Sequence, residues 1–268
     1  MANNLVQTSF PIVQNQGSLP DFIIIGAQKG GTTALRFNLQ KHPDIFTAKV
    51  ECENLKRPFK REINFFNDDE NWEKGISWYK NLFSEPNKIQ GEKTPSYFQN
   101  KKALQRIAEV APHTKLIIML RNPIDRAYSQ WNHHNQKLKQ SLDKGWRKDT
   151  FENIISLAIK NNFPFSTLIS QGKYILHIQY LLKYFPEEQL FFGISERFIA
   201  DPNGQLNKVL DFLGVARMHL KPRIRHKREY PEPMKQEIKV YLEKLFKPYN
   251  QQLFDFLGEE IVEWEHNQ

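Results

Sequence analysis

The feature that most constrains the fold is a short apolar segment, Asp21–Gly26, that runs into a glycine-rich turn. The four residues before the glycine are aromatic or β-branched and do not alternate with polar ones, which is typical of a strand buried on both faces. A helix is predicted directly after the turn, over Thr33–Lys41, where apolar side chains recur at helical spacing. A buried strand, a tight turn and a helix in succession indicate an α/β protein.

Two more segments have the pattern of buried strands, Lys115–Leu120 and Leu190–Ile194. Helices are predicted before each of them, over Lys101–Val110 and Tyr174–Tyr184, and a further helix starts near Pro123. Short buried strands that alternate with helices favour a central parallel sheet with helices on both faces.

The domain organisation follows from length and composition. Residues 1–19 are polar and read as a tail or lead-in, and residues 20–268 contain no linker and are predicted to form a single domain. The segment 221–235, which is rich in basic residues and proline, is predicted to be a long loop, followed by a last helix over Met234–Leu245 or beyond.

The charge balance indicates an anionic partner. The chain has 38 Lys and Arg against 30 Asp and Glu, a formal net charge of +8, which suits a nucleic acid, a phosphorylated nucleotide, an acidic polysaccharide or a membrane surface. The single cysteine, Cys52, excludes an intramolecular disulfide and a multi-thiolate metal site. With no signal peptide pattern and no apolar run of about 20 residues, we expect a cytoplasmic protein without membrane insertion.

The turn after the first strand predicts a phosphate site, because a glycine-rich loop before a helix points backbone N–H groups at an anion. Gly26 and Gly31 have the spacing of the two glycines in a nucleoside-triphosphate P-loop. The lysine that should follow the second glycine is missing, since Thr32 stands there. The only lysine, Lys29, lies in the middle of the loop, where it would reach the far side of a phosphate bound by Thr32 and Thr33.

The end of the strand at 115–120 is the second indication that this site differs from that of an ATPase. Mg²⁺-dependent NTPases often have an aspartate there to hold the metal, whereas this strand ends in Arg121. An arginine suits a phosphate rather than a cation. Together with the displaced Lys29, it argues against hydrolysis of Mg·ATP and for a nucleotide bound by cationic side chains, with no metal.

Taken together, these motifs resemble the sulfotransferase superfamily that uses 3′-phosphoadenosine 5′-phosphosulfate (PAPS). The likeness is greatest to its heparan-sulfate N-deacetylase/N-sulfotransferase and glucosaminyl 3-O-sulfotransferase branch. The resemblance covers about residues 20–215 and implies a bacterial-type member with the P-loop NTPase-like sulfotransferase fold. The segments that match, in chain order, are Phe22–Leu35, His42–Asp44, Glu62–Phe66, Gly75–Tyr79, Glu92–Phe98 and Leu120–Ser129.

The resemblance implies the donor site. PAPS would be the donor and 3′-phosphoadenosine 5′-phosphate (3′,5′-ADP) the product. Arg121 and Ser129 would hold the 3′-phosphate, and alignment on the later Tyr-Pro pair places Arg228, with Lys227 as a weaker candidate, over the nucleotide. The residues that would hold the 5′-phosphosulfate are Lys29, Gly30, Gly31, Thr32 and Thr33.

The resemblance also implies the catalytic groups. Lys29 would stabilise the leaving phosphate, and Glu62 would be the base that takes the acceptor proton, with His133 as the second candidate. Burial beside the following Phe65–Phe66 pair would tune the Glu62 carboxylate for this role. Lys93 matches a residue that lines the acceptor cleft and would bind acceptor or complete the charges around the sulfuryl group.

The acceptor and two other function classes stay open at this stage. The resemblance implies that the heparan-sulfate enzymes carry a disulfide-closed loop beside the bound polysaccharide, which this chain lacks. The acceptor therefore stays open between a glycan and a small secondary metabolite, sulfated at a hydroxyl or an amine. One alternative is a P-loop kinase or ATPase. The other is a non-enzymatic anion-binding protein that uses the basic segment 217–228, although that segment has no nucleic-acid motif and no nucleic-acid partner is expected.

Overall fold

The structure, a computed structural model, describes residues 17–51, 59–60, 62–140, 150–160, 167–219, 221 and 234–265. The strands in these ranges are β1 (Phe22–Gly26), β2 (Ile45–Thr47), β3 (Val50–Glu51), β4 (Phe59–Lys60), β5 (Ile89–Lys93), β6 (Lys115–Leu120) and β7 (Leu190–Ile194). The first helices are α1 (Thr32–Leu39), α2 (Asp69–Trp72), α3 (Gly75–Lys80), α4 (Lys101–Val110), α5 (Pro123–Gln140) and α6 (Phe151–Lys160). They are followed by α7 (Thr167–Ser170), α8 (Tyr174–Leu181), α9 (Ser195–Ala200), α10 (Pro202–Leu213) and α11 (Gln236–Leu257).

The predicted α/β fold is confirmed. Five strands form one sheet in the order β2-β5-β1-β6-β7, and every pairing in it is parallel. β3 and β4 form a separate antiparallel ribbon. After β1 the chain continues to β2 and β5, which lie on one side of β1 in the sheet, and then crosses to β6 and β7 on its other side. β1 therefore lies where the strand order reverses. Ligands of open α/β sheets bind at the carboxyl ends of the strands at such a point.

Both faces of the sheet are covered by helices, as predicted, because β1 and β6 send successive apolar side chains to opposite sides. Ile23 and Ile25 pack in a core with α4 and α8, whereas Phe22 and Ile24 pack in a core with α1 and α10. A third apolar cluster joins α5, α6, α7 and α11. Neither face of β1 touches solvent, which explains its continuous apolar pattern.

Two of the five strands in this sheet, β2 and β5, are not predicted from the sequence. β2 has only three residues, and β5 contains Gln90, Glu92 and Lys93 among its five. Those three side chains are nonetheless buried. Hydrophobic periodicity does not detect a strand whose buried residues are polar, and only the pairing of β5 with β1 makes it a strand.

Several helix ends also differ from the predicted ones. The predicted helix at Tyr174 ends at Leu181 rather than Tyr184, because the chain turns there toward the short 3₁₀ turn Glu187–Gln189. The last helix starts at Gln236 and continues through Pro248 to Leu257, where Gly258 adopts a left-handed conformation and ends it. Within the described ranges, no helix is long and apolar enough to span a bilayer.

We predict that Gly91→Ala destabilises the sheet. A Cβ on this residue of β5 would lie 2.5 Å from ring carbons of Phe22 in β1, and both strands are central. Overpacking of this kind costs about 1–3 kcal/mol in the free energy of unfolding, measurable by urea denaturation. The exposed Ser84→Ala is the control and should stay within about 0.5 kcal/mol of wild type. An equally stable Gly91→Ala protein would contradict the close packing of these two strands.

Candidate active site

The glycine loop lies at the carboxyl end of β1 and is held against β6 by its backbone. The Ala27 N–H donates to the Met119 carbonyl at 2.9 Å, and the Gly30 N–H donates to the Ala27 carbonyl at 3.0 Å. A Cβ at Gly30 would lie 2.1 Å from the Met119 carbonyl oxygen, so only glycine allows this approach. The loop is therefore a tight turn between β1 and α1.

Two residues of the loop have left-handed backbone conformations. Gly31, the N-cap of α1, has φ 91°, which glycine adopts at no cost, and Lys29 has φ 69°, which is uncommon for a residue with a side chain. For Lys29 this conformation costs about 1 kcal/mol or more, and costs of this kind cluster at functional sites. The first-turn N–H groups of α1 have no partner within the helix and point out of its end toward this loop. The loop is therefore a candidate anion site.

Arg121 begins the turn between β6 and α5, and its backbone is anchored on both sides. The Tyr174 hydroxyl donates to the Arg121 carbonyl at 2.8 Å. The Asn122 N–H donates to the Glu196 carboxylate at 3.0 Å, and the Trp264 indole donates to the other oxygen of that carboxylate at 3.1 Å. Since α8, α9 and the C-terminal segment all hold this turn, the position of Arg121 depends on the whole tertiary structure.

Ser129 lies on α5 and is 4% exposed. α5 begins at Pro123, and the Asn122 side chain caps it by accepting from the Ile124 N–H at 2.9 Å. Arg121 thus lies in the turn at the carboxyl end of β6, and Ser129 lies in the second turn of α5, the helix that follows.

Glu62 and Lys93 form an ion pair beside the end of β1. The Lys93 Nζ lies 2.6 Å from Glu62 Oε1. Lys93 is the last residue of β5, and its Cα is in register with Ile24 of β1. The two residues are 31 positions apart in sequence, and both reach the carboxyl edge of the sheet where the glycine loop lies.

The predicted burial of Glu62 is wrong. Its side chain is 42% exposed, whereas that of Lys93 is 2% exposed. The apolar Phe65 and Phe66 turn into the core instead, where Phe65 stacks on Tyr79 at a centroid distance of 4.4 Å. The carboxylate of Glu62 is therefore held at the surface by a buried lysine, open to an acceptor.

A buried polar network fixes the segment that carries Glu62. Glu92 of β5 is fully buried and accepts from three hydroxyls: Tyr79 at 2.9 Å, Thr94 at 2.7 Å and Tyr97 at 3.2 Å. The Asn64 N–H then donates to the Thr94 hydroxyl at 3.3 Å.

The same network reaches the segment a second time, because the Phe66 N–H donates to the Tyr97 hydroxyl at 3.3 Å. Two backbone amides after Glu62 are thus tied to the buried carboxylate of Glu92 through one intervening hydroxyl each. The network fixes the position of the Glu62 backbone relative to β5.

Burial raises the pKa of Glu92 to about 7. The hydroxyl donors of Thr94, Tyr79 and Tyr97 and the charge of Lys93 act in the opposite direction, but desolvation dominates. Glu92 directly precedes Lys93 in β5, so a carboxyl group with a raised pKa lies in the same strand as the lysine that binds Glu62.

The remaining predicted site residues are placed as follows. His133 lies on α5 one turn after Ser129 and is half-buried, with its ring centroid 6.3 Å from that of His134. Thr32 is buried and Thr33 is half-buried in the first turn of α1. Lys227 and Arg228 lie outside the described residues, as does most of the basic segment 217–228.

Three charged residues near the site, Glu92, Arg126 and Glu196, are not among the site residues predicted from the sequence. Glu92 stood in a matching motif, but only the neighbouring Lys93 received a role. Its place at the start of the matching segment Glu92–Phe98 is the sequence signal that could have marked it as a site residue. Arg126 lies in the matching segment Leu120–Ser129, whose resemblance assigned it no role, and Glu196 lies in a helix where no local pattern distinguishes it from a surface charge.

Comparison with known proteins agrees with this geometry. The family model of the sulfotransferase domain matches residues 19–258. The chain belongs to the sulfotransferase family. The earlier resemblance to this family of transferases is thereby confirmed, and the matched range extends past residue 215, where the similarity of motifs ended.

Named relatives come from the branch that the motifs indicated. Human heparan sulfate glucosamine 3-O-sulfotransferase 3A1 is 37% identical over 218 residues, which is 77% of this chain and 48% of the relative. Mouse bifunctional heparan sulfate N-deacetylase/N-sulfotransferase 4 is 34% identical over 206 residues, 74% of this chain and 22% of the relative. The chain therefore spans about half or less of the length of these relatives.

A solved sulfotransferase from Alicyclobacillus acidocaldarius has the same fold. It superposes with a TM-score of 0.72, is 24% identical, and the match covers 93% of this chain and 100% of that one. The sulfotransferase architecture of the sheet and its helices is thus present over nearly the whole chain.

We predict that stability falls as the pH rises through neutrality and that Glu92→Gln flattens this dependence. The folded protein keeps the Glu92 proton up to a pKa of about 7, whereas the unfolded chain releases it near the ordinary value of 4.5. Between these values the folded state binds more protons, so the free energy of unfolding decreases with rising pH, by up to about 3 kcal/mol. Urea denaturation at pH 5, 6, 7 and 8 measures the slope.

The exposed Glu85→Gln is the matched control and should keep the wild-type slope. If Glu92→Gln and wild type lost stability in parallel over this range, Glu92 would not be the titrating group.

Proposed function

We propose that this protein transfers a sulfuryl group from PAPS to a hydroxyl or amine of a glycan acceptor. One observation carries the proposal. A glycine-rich turn after β1, a cation after β6 and a solvent-accessible carboxylate on a buried lysine lie at the carboxyl edge of one parallel sheet in a chain of the sulfotransferase family. The family uses this nucleotide, and the relatives named above are heparan sulfate sulfotransferases.

The donor side of the site fits the nucleotide. PAPS supplies an activated sulfuryl group whose leaving group is a phosphate. The glycine loop presents N–H groups to that phosphate, and Lys29 is the cation of the loop. Charge develops on the oxygen that leaves, and a cation beside it lowers the barrier. Arg121 and Ser129 would bind the 3′-phosphate that distinguishes this donor from ADP.

The acceptor side needs a group that takes one proton. As the acceptor oxygen or nitrogen bonds to sulfur, the bond from sulfur to the phosphate oxygen breaks and its electron pair stays on the phosphate. Glu62 would take the acceptor proton at its exposed carboxylate, while Lys93, at 2.6 Å, orients that carboxylate. His133 is the second candidate base.

The acceptor class follows from the relatives rather than from the site alone. Both kinds of named relative act on heparan sulfate, one as an O-sulfotransferase and one as an N-sulfotransferase. We therefore propose a sugar with a free hydroxyl or amine, such as a glucosamine unit, as the acceptor. A small secondary metabolite is the competing acceptor, to be included in the same screen. Lys227 and Arg228 remain predicted contacts of the nucleotide.

We predict selective binding of 3′,5′-ADP. Wild-type protein should bind it at least about tenfold more tightly than ADP, since a good charged contact contributes a factor of this size. Arg121→Ala should weaken 3′,5′-ADP binding far more than ADP binding, and Ser129→Ala should do the same to a smaller extent. Isothermal titration calorimetry measures both affinities.

The control for Arg121 is Arg217→Ala, which removes an exposed arginine paired with Asp211 and should leave both affinities unchanged. Equal affinity of wild type for the two nucleotides would contradict the role of the 3′-phosphate site. Tight binding that needs Mg²⁺ would instead support a kinase or ATPase.

We predict that Glu62→Gln abolishes most turnover but leaves 3′,5′-ADP affinity nearly unchanged. Loss of a general base typically costs a factor of about 10²–10⁴, and Glu62 lies on the acceptor side. Lys29→Ala should lower turnover by about 10²–10³ because it removes charge stabilisation at the leaving oxygen. Transfer from labelled PAPS to glucosamine-containing oligosaccharides, phenols, amines and alkaloids measures activity and identifies the acceptor.

The matched control is Glu85→Gln, which changes another glutamate in an exposed ion pair, at 3.7 Å from Lys88, and should retain full activity. A fully active Glu62→Gln enzyme would move the role of base to His133, which His133→Ala would then show.

A further inference from the structure

Arg126 is a fully buried charge that the proposed reaction does not use. It lies on α5 at 0% exposure, and its hydrogen bonds to the described residues all go to neutral oxygens. Nη1 donates to the Gln130 side chain at 2.6 Å and to the Gln171 side chain at 3.2 Å, and Nη2 donates to the Leu168 carbonyl. Nε is buried without a hydrogen-bond partner. In the part of the chain that the structure describes, no carboxylate forms an ion pair with it.

Such an environment is costly for a guanidinium. Buried charges are normally paired, because desolvation of an ion costs several kcal/mol that neutral hydrogen bonds only partly offset. Burial accordingly lowers the pKa of Arg126, and the nearby charge of Arg121 lowers it further. The isolated protein thus holds two cations close together, one of them cut off from water.

The position of Arg126 points to the missing counter-charge. It lies on α5 three residues before Ser129, so the two side chains lie on neighbouring positions of one helix face. Arg121 begins the turn that leads into the same helix, and the Tyr174 hydroxyl holds that turn at 2.8 Å. A dianion bound between Arg121 and Ser129 would lie near the buried guanidinium, because the charges of Arg126 and Arg121 interact.

We propose that Arg126 strengthens the binding of the 3′-phosphate as a buried, uncompensated positive charge, without touching the nucleotide. This inference rests on the proposed function, since it needs the 3′-phosphate of PAPS at Arg121 and Ser129. In a low-dielectric interior such a charge acts over several ångströms and is little screened by salt. Arg126 is therefore a positioning residue for the donor and a determinant of its specificity for a 3′-phosphorylated nucleotide.

The test neutralises this charge without removing the arginine. Gln171→Glu places a carboxylate where an amide now accepts from Nη1 at 3.2 Å. The readout is the ratio of the dissociation constants of 5′-AMP and 3′,5′-ADP, which differ only by the 3′-phosphate. We expect Gln171→Glu to lower this ratio about tenfold and to raise the melting temperature of the ligand-free protein, because the buried charge becomes paired.

Two controls separate charge from structure. Gln179→Glu makes the same substitution at an exposed position of α8 and should keep the wild-type ratio. Arg126→Lys keeps the charge and should retain most of the ratio, whereas Arg126→Met should lose it if the variant folds. A purely structural role would change stability or weaken both nucleotides alike and leave the ratio intact.

A wild-type ratio in folded Gln171→Glu protein would overturn the proposal, whatever the Arg126 variants do. A wild-type protein that binds 5′-AMP and 3′,5′-ADP equally would instead overturn the proposed donor itself, so the two failures are distinguishable.

Discussion

The glycine loop can occupy its position only because β1 lies between β5 and β6 and runs parallel to both. Parallel pairing brings the carboxyl ends of the three strands to one edge, where their side chains and turns meet. The close approach of Gly30 to the Met119 carbonyl then locks the loop onto β6. The proposed site residues that end these three strands or follow them directly, Lys29, Lys93 and Arg121, are placed by this arrangement.

The candidate site combines charges at the surface, such as Glu62, with buried charges behind them, such as Glu92 and Arg126. Glu62 lies at the surface, and the buried Glu92 network ties the backbone that follows it to β5. On the other side of β1, Arg121 lies in a turn next to the buried Arg126. Because the interior screens charge poorly, buried charges act over longer distances than surface charges do.

The similarity to the heparan sulfate sulfotransferases covers about three quarters of this chain but only about half or less of each relative. The chain is 37% identical to the human 3-O-sulfotransferase 3A1 and has the sheet order that places the site. It has a single cysteine, Cys52, so no disulfide can form within this chain.

The sequence by itself determined the strands that are buried and apolar, β1, β6 and β7, the glycine loop and the family. These are local properties, since buried strands and phosphate loops leave patterns in consecutive residues. Only the tertiary structure made β5 a strand, turned Glu62 outward rather than into the core, and joined it to Lys93 from 31 residues away. It also isolated Arg126 and Glu92 from water. Burial of a charge depends on which helices and strands pack around it, and no local pattern records that.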